Sequence, residues 1–186
     1  MNLEIEAKVK VESLDEIAVR LNELGAESLY EVLQTDTYFD DAAQTLFASD
    51  CGLRLRIQTT GQAQKIILTY KGPRQKSHFK SRIEIEIEVS DFEVAAQLLN
   101  ALGFKKALVF EKRRQVWQLS DSAVCLDELP LLGSFVEIEA PGEEPIAEVL
   151  RKLKLADMSH INESYAHLIR SKLAEIGSDK RKAFFS

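Results

Sequence analysis

Apolar and ionic residues alternate along several stretches of the chain with the two-residue period of a β-strand. Near the N-terminus Leu3, Ile5, Ala7 and Val9 share one face, and Glu4, Glu6, Lys8 and Lys10 share the other. Leu53–Ile57 sets Arg54 and Arg56 against aliphatic neighbours, Arg82–Glu88 sets an arginine and three glutamates against isoleucines, and Phe135–Ala140 presents Glu137 with Glu139. A half-buried strand ordinarily shows solvent a mixture of polar types. Here the polar face is wholly ionic each time, as expected of strands that face something charged. The alternation predicts strands over 2–11, 32–40, 52–59, 64–71, 81–89, 107–119, 122–127 and 134–140. Turn signals separate them at Thr60-Gly61, Lys71-Gly72-Pro73, Ser120-Asp121 and Leu132-Gly133.

Elsewhere the period lengthens to that of a helix. Ser13-Leu14-Asp15-Glu16 has capping-box spacing, and Leu14, Ile17, Leu21 and Leu24 share a face up to Gly25, predicting a helix over 13–25. Further helices are predicted over 91–103, 144–154 and 162–176. A second copy of the first segment recurs 78 residues on. Glu6 aligns with Glu84, Lys8 with Glu86, Leu21–Gly25 with Leu99–Gly103, and Tyr38-Phe39 with Val116-Trp117. Two copies are too few for a solenoid. The predicted fold class is therefore α+β, with pseudo-duplicated halves, each a strand, a helix and about three antiparallel strands. One domain is expected over 1–177. The polar stretch Gly72–Lys80 reads as a mobile loop, and the tail 178–186, with Asp179-Lys180-Arg181-Lys182, is expected to fray.

Composition adds mainly exclusions. The 186 residues, 45% of them hydrophobic, suit a single core. A net charge of −6 argues against a protein held to nucleic acid by its overall field. No apolar run approaches the roughly 20 residues a membrane-spanning helix needs, and the N-terminus lacks the apolar core of a signal peptide. Cys51 and Cys125 have no ligand spacing and are expected to be reduced thiols in a cytoplasmic protein. His78, His160 and His167 are scattered, so neither a zinc site nor a Ser-His-Asp triad is expected.

Eight such strands can form an open sheet with a solvated ionic face, or close so that the ionic faces line a tunnel. Facing charged walls are unfavourable unless acids and bases interleave, or ions and a polyanion fill the space. The four ionic patterns together favour the closed form, an eight-stranded antiparallel β-barrel with helices packed outside. Carboxylates at i and i+2 point the same way and can converge on one cation. Glu4 and Glu6 would meet Glu137 and Glu139 if the first and last barrel strands are neighbours, and Asp127 could join them. Oxygen-only donors suit Mg²⁺ or Mn²⁺ rather than zinc. In the empty site the paired acids are expected to repel, so Glu6→Gln or Glu137→Gln should leave stability unchanged or slightly raised. Lys8, Arg54, Arg56, Lys71, Arg82, Lys112 and Arg114 form a basic set able to grip phosphate oxygens. Only two of Lys112, Arg113 and Arg114 can share the ionic face. Glu84 and Glu86 either hold neighbouring arginines or contact substrate. No Walker A loop, Rossmann glycine motif or kinase signature is present, so a nucleotide would be held by strand side chains.

Glu4-x-Glu6-x-Lys8, Leu53-Arg54-Leu55-Arg56, Lys71-Gly72-Pro73, Arg82-x-Glu84-x-Glu86, Glu111–Arg114, Cys125-Leu126-Asp127, Gly133–Glu139 and Glu163-Ser164-Tyr165 form an ordered set. Over about residues 2–173 it resembles the CYTH, or triphosphate tunnel metalloenzyme, superfamily, named for class IV adenylyl cyclase and thiamine triphosphatase. The resemblance implies a tunnel that binds a triphosphate and a divalent metal, Mg²⁺ or Mn²⁺. It implies Glu4, Glu6, Asp127, Glu137 and Glu139 as metal ligands. Lys8, Arg54, Arg56, Lys71, Arg82, Lys112 and Arg114 become phosphate contacts, with Glu84 and Glu86 in second rank. Catalytic roles fall on Glu4, Glu6 and Lys8. Lys71-Gly72-Pro73 and the stretch Asp127–Glu139 resemble the cyclase branch, implying conversion of ATP to cyclic AMP and pyrophosphate. The alternatives are a triphosphatase acting on tripolyphosphate, thiamine triphosphate or a nucleotide, and a non-enzymatic triphosphate- or polyphosphate-binding module. The expected partners are ATP or another triphosphate, without nucleic acid or membrane, for a monomer or homodimer.

Overall fold

The alternation of apolar and ionic positions resolves into a sheet that closes on itself. The computed structural model describes residues 2–75, 77–178 and 180–186. Lys76 of the expected loop and Asp179 of the expected tail lie outside the described residues. In chain order the elements are β1 (Asn2–Val11), α1 (Leu14–Glu23), β2 (Glu27–Asp40), α2 (Thr45–Ala48), β3 (Gly52–Thr60), β4 (Ala63–Lys71) and β5 (Lys80–Val89). They continue with α3 (Phe92–Ala101), β6 (Lys105–Leu119), β7 (Ser122–Leu129), β8 (Gly133–Glu139), α4 (Glu143–Lys152), α5 (Tyr165–Glu175) and β9 (Lys182–Ala183). Strands run β2-β3-β4-β5-β1-β8-β7-β6, and pairing of β2 with β6 closes an eight-stranded antiparallel barrel. Exchanging β1 with β5, β2 with β6, β3 with β7 and β4 with β8 reproduces this order in reverse, as a duplicated fold requires.

The duplication is visible in the element boundaries. β1, α1 and β2 start at Asn2, Leu14 and Glu27, while β5, α3 and β6 start 78 residues later at Lys80, Phe92 and Lys105. The match slips after β2 because the β2–β3 connection carries α2, where β6 and β7 are joined by the Ser120-Asp121 turn. The two equivalent helices begin alike: Ser13 accepts from the Glu16 N–H, and Asp91 from the Val94 N–H. Both end before a glycine with positive φ, Gly25 at +74° and Gly103 at +95°, a conformation that costs glycine least.

Apolar strand faces turn outward under the helices. Ala7, Val9, Leu126, Val136 and Ile138 pack against Leu21 of α1 and Ile146, Val149 and Leu150 of α4. Leu21 is fully buried, so Leu21→Ala should cost about 2–5 kcal/mol. Phe39 and Leu55 pack under Ala96 and Leu99 of α3. Leu108, Phe110, Leu129 and Phe135 pack against Tyr165, Ala166, Ile169 and Leu173 of α5.

Three segments differ from expectation. β2 begins at Glu27, because its first five residues are exposed and carry no burial alternation. The stretch after β4 is anchored rather than loose: Gly72 N–H donates to the Ile83 carbonyl, Gln75 N–H to the Ser81 carbonyl, and Phe79 is buried. The tail docks instead of fraying. β9 pairs in parallel with Val109-Phe110 of β6, Ala183 is buried, and the Phe185 N–H donates to Glu111 Oε2 at 3.1 Å.

Candidate active site: a tunnel of interleaved acids and bases

Because side chains alternate across each strand, the ionic faces converge inside the barrel. Glu4, Glu6, Lys8, Arg54, Arg56, Lys71, Glu84, Glu86, Lys112, Arg114, Glu137 and Glu139 all line one cavity of about 240 Å³. β1 lies beside β8, with Glu6 opposite Glu139 and Lys8 opposite Glu137, so the two acid pairs meet as the sequence suggested. Lys112 and Arg114 face the cavity, while Arg113 points outside to an exposed pair with Glu128 at 3.2 Å. Two expected members stand apart. Arg82 lines an adjoining pocket, and Asp127 is wholly buried behind the wall.

Each base has an acid. Arg56 forks onto Asp36, with Nε–Oδ1 at 2.6 Å and Nη2–Oδ2 at 2.8 Å. Arg54 donates to Thr69 Oγ1 at 2.9 Å and Glu86 Oε1 at 3.1 Å. Lys71 pairs with Glu84 and lies 3.7 Å from Glu4. Lys80 pairs with Glu6. Lys8 donates to the Glu163 carbonyl at 2.9 Å, lies 3.2 Å from Glu137 and sits 4.2 Å above the Tyr165 ring. Arg114 forks onto Asp127 with both contacts at 2.6 Å, and also reaches Glu137. Asp127 further accepts from Tyr165 Oη at 2.8 Å and lies 3.3 Å from Lys112. The oxygens of Asp127 are therefore engaged in positioning Arg114, Lys112 and Tyr165.

Charge and burial set the proton affinities. Burial pushes Lys112 down to about 8, helped by Arg114 and opposed by Asp127. Burial also lowers Lys71, against the pull of Glu4. For Lys80, Glu6 and Glu137 outweigh burial and raise it. Glu137 lies well below the usual carboxylate range, since Lys8 and Arg114 overcome its burial. Glu139 at the rim is pushed up to about 7 by partial burial and by repulsion from Glu4 and Glu6. Burial lifts Glu4 too, despite Lys71.

These acids bear on whether a divalent cation fits. Among the described residues, no three His, Cys, Asp or Glu side chains are grouped as a ready-made metal site. The donor chemistry nevertheless fits a hard cation: Glu4, Glu6 and Glu139 are all oxygen donors, and their mutual repulsion is what raises Glu139. The expected relief on removing Glu6 or Glu137 is not what the structure provides, because both are the partners of buried lysines. Two buried donors, Arg54 Nε and Arg82 Nε, have no protein acceptor among the described residues, in keeping with a basic wall that has capacity for an anion.

Sequence reasoning missed Asp36, Lys80 and the role of Tyr165. Asp36 shares its inward face with Gln34 and Tyr38, and Lys80 shares that of Arg82 and Glu84, so strand parity could have found both. Also unforeseen is a second pocket of about 140 Å³ that shares Tyr38, Lys71 and Ser164 with the tunnel. Phe47 of the α2 connection stacks on His167 of α5 at 5.4 Å along its wall. Asp50 there pairs with Arg74 at 2.6 Å and with Arg82 at 3.5 Å.

A closed eight-stranded barrel with an interior of paired acids and bases defines a class, and the comparisons agree. The CYTH domain matches residues 2–165, and the chain belongs to that family. A relative from Methanocaldococcus jannaschii, named provisionally as an adenylate cyclase, is 29% identical over 175 residues, covering 89% of this chain and 98% of the relative. Adenylate cyclase CyaB of Aeromonas hydrophila is 29% identical over 136 residues, covering 73% of this chain and 67% of the relative. The solved structure of the PH1819 protein of Pyrococcus horikoshii OT3 superimposes with a TM-score of 0.80 at 29% identity, covering 91% of this chain and 99% of that one.

Proposed function

We propose that this chain is a divalent-cation-dependent enzyme that turns over a nucleoside triphosphate in its tunnel, with ATP converted to cyclic AMP and pyrophosphate as the first reading. The observation that carries it is the continuity of two different spaces. An ionic cavity suited to phosphates opens into a pocket whose wall includes Tyr38, Phe47 and His167, suited to a base and ribose. The names of the two curated relatives support the same reading.

In this reading Arg54, Arg56, Lys8, Lys71, Lys112 and Arg114 take the triphosphate oxygens, drawing them away from their resting acids. Glu4, Glu6, Glu137 and Glu139 are thereby released to hold the cation. When bound, Mg²⁺ or Mn²⁺ neutralises phosphate charge and lowers the pKa of the attacking hydroxyl. The ribose 3′-oxygen bonds to the α-phosphorus as the bond to the bridging oxygen breaks, the hydroxyl proton passes to a rim carboxylate, and pyrophosphate leaves. Lys8, fixed between Glu137 and Tyr165, holds charge that develops on the leaving group.

The second reading, a triphosphatase, rests on the tunnel itself. Its charged walls enclose about 240 Å³, room for a phosphate chain without a base. Incubation with ATP or tripolyphosphate at equal Mn²⁺ or Mg²⁺, with products identified by chromatography, separates the two. Cyclic AMP from ATP supports the cyclase. Orthophosphate from tripolyphosphate, with no cyclic nucleotide from ATP, replaces it with the triphosphatase. No turnover of either refutes both.

A further inference from the structure

α3 has two apolar faces, and this chain covers one of them. Ala96 and Leu99 are buried against Phe39 and Leu55. Val94, Leu98 and Leu102 on the other side are 62%, 60% and 65% exposed. A helix apolar all round belongs between two layers rather than against water. Its duplicate shows the contrast: the positions 78 residues earlier are Glu16, Arg20 and Leu24, and Arg20 donates to the Leu153 carbonyl at 3.0 Å.

The adjoining sheet repeats that difference. Val89 of β5 packs against the α3 cluster, and Ile87 and Ile85 continue its outward face at 55% and 44% exposure. Their duplicates on β1, Val9 and Ala7, are buried in the core that α4 covers. One half of the barrel is thus roofed by α4. Among the described residues no element roofs the equivalent face of the other half.

We propose that a second copy of this chain covers it, in a two-fold dimer whose α3 helices run antiparallel across Val94, Leu98 and Leu102, with Ile85 and Ile87 at the margin. Charge selects this occupant and orientation. Asp91 and Glu93 stand at the N-terminal end of α3, and Lys105 stands at the other end, 3.5 Å from the Asn100 carbonyl. Antiparallel pairing sets each acidic end against the partner's basic end and opposes the two helix dipoles, whereas parallel pairing sets like against like. A two-fold contact also needs only one surface, used twice.

Light scattering and sedimentation of the full chain at micromolar concentration should find a dimer. Leu98→Glu should weaken it by roughly 30-fold or more, as for a charge placed in a desolvated contact. Leu98 lies outside the tunnel, so circular dichroism and tripolyphosphate binding should match the unmodified chain. Glu93→Lys should weaken the dimer, and Glu93→Lys with Lys105→Glu should restore it, because the exchanged charges meet again across the axis. A monomeric unmodified chain overturns the proposal and leaves the face to a partner of another kind. A dimer indifferent to Leu98→Glu, or a double exchange no tighter than the single one, overturns it as well.

Discussion

Glu137 and Glu139, two residues apart on β8 and facing the same cavity, are driven to opposite ends of the carboxylate range. Glu137 lies against Lys8 at 3.2 Å and against Arg114, and these cations keep it ionised although it is buried. Glu139 stands at the rim beside Glu4 and Glu6, which with partial burial raise it to about 7. The barrel depends on one of these anions and resists the other.

Their amide variants should therefore differ in sign. Glu137 titrates lower in the fold than unfolded, so its contribution is present above the ordinary carboxylate pKa and is lost as pH falls through its depressed value. Glu137→Gln at neutral pH leaves Lys8 and Arg114 without that partner and should cost about 3–5 kcal/mol. Glu139 titrates higher, so the stability it allows is full below its ordinary 4.5 and declines as pH rises through about 7. Glu139→Gln should raise the melting temperature at pH 8, with the gain vanishing towards pH 4. Thermal melts of both variants across this range test the pair, and a Glu137→Gln protein as stable as the unmodified one would remove the ion-pair assignment.

Lys112, pushed down to about 8 by burial and Arg114, should make anion binding pH-sensitive. Above that value the tunnel loses one positive charge, so tripolyphosphate affinity should fall between pH 7 and 9. Lys112→Arg keeps its charge throughout and should flatten the profile. Calorimetry at three pH values decides, and an equally steep fall in the variant would place the titrating group elsewhere.

Arg56 has two functions that a double variant can separate. Arg56→Ala should weaken tripolyphosphate binding by about 1.5–3 kcal/mol. It also strands Asp36, which is buried, and should destabilise the fold by about 3–5 kcal/mol. Adding Asp36→Ala should recover much of the stability and none of the affinity. Urea unfolding and calorimetry measure the two quantities, and recovered affinity would show that Arg56 serves only the ion pair.

Tyr165→Phe removes one of the donors to Asp127 while keeping the ring beneath Lys8 and Lys112. Loss of a buried hydrogen bond to a carboxylate should cost about 1.5–3 kcal/mol in urea unfolding. An unchanged midpoint would mean that Arg114 and Lys112 suffice to satisfy Asp127.

Much of the tunnel was legible because a strand period leaves little freedom: once Glu4 faces inward, Glu6 and Lys8 follow. The same rule failed at Lys112-Arg113-Arg114, where three consecutive bases carry no apolar marker, and the pairing of β6 with β2 and β7 was needed to turn Arg113 outward. Asp36 was passed over because Thr35 and Thr37 hide the alternation. Tyr165 was quoted within a motif without a role, since helix periodicity tells which face is apolar and not which barrel wall it will meet. The docked tail was read as frayed because two paired residues leave no periodic trace, and its anchor is an apolar alanine among charges.

The position of β1 between β5 and β8 has a consequence for how the protein comes into being. β1 is made first, yet its partners are Asn2–Glu6 with Lys80–Glu84 on one side and Glu6–Val11 with Ser134–Glu139 on the other. Such distant pairings slow folding, since the intervening chain must be gathered before contact is rewarded. A nascent chain lacking β8 would leave one edge of β1 unpaired and its row of ionic side chains in water. The charged interior is thus completed late, after the apolar layers outside it have chain enough to pack.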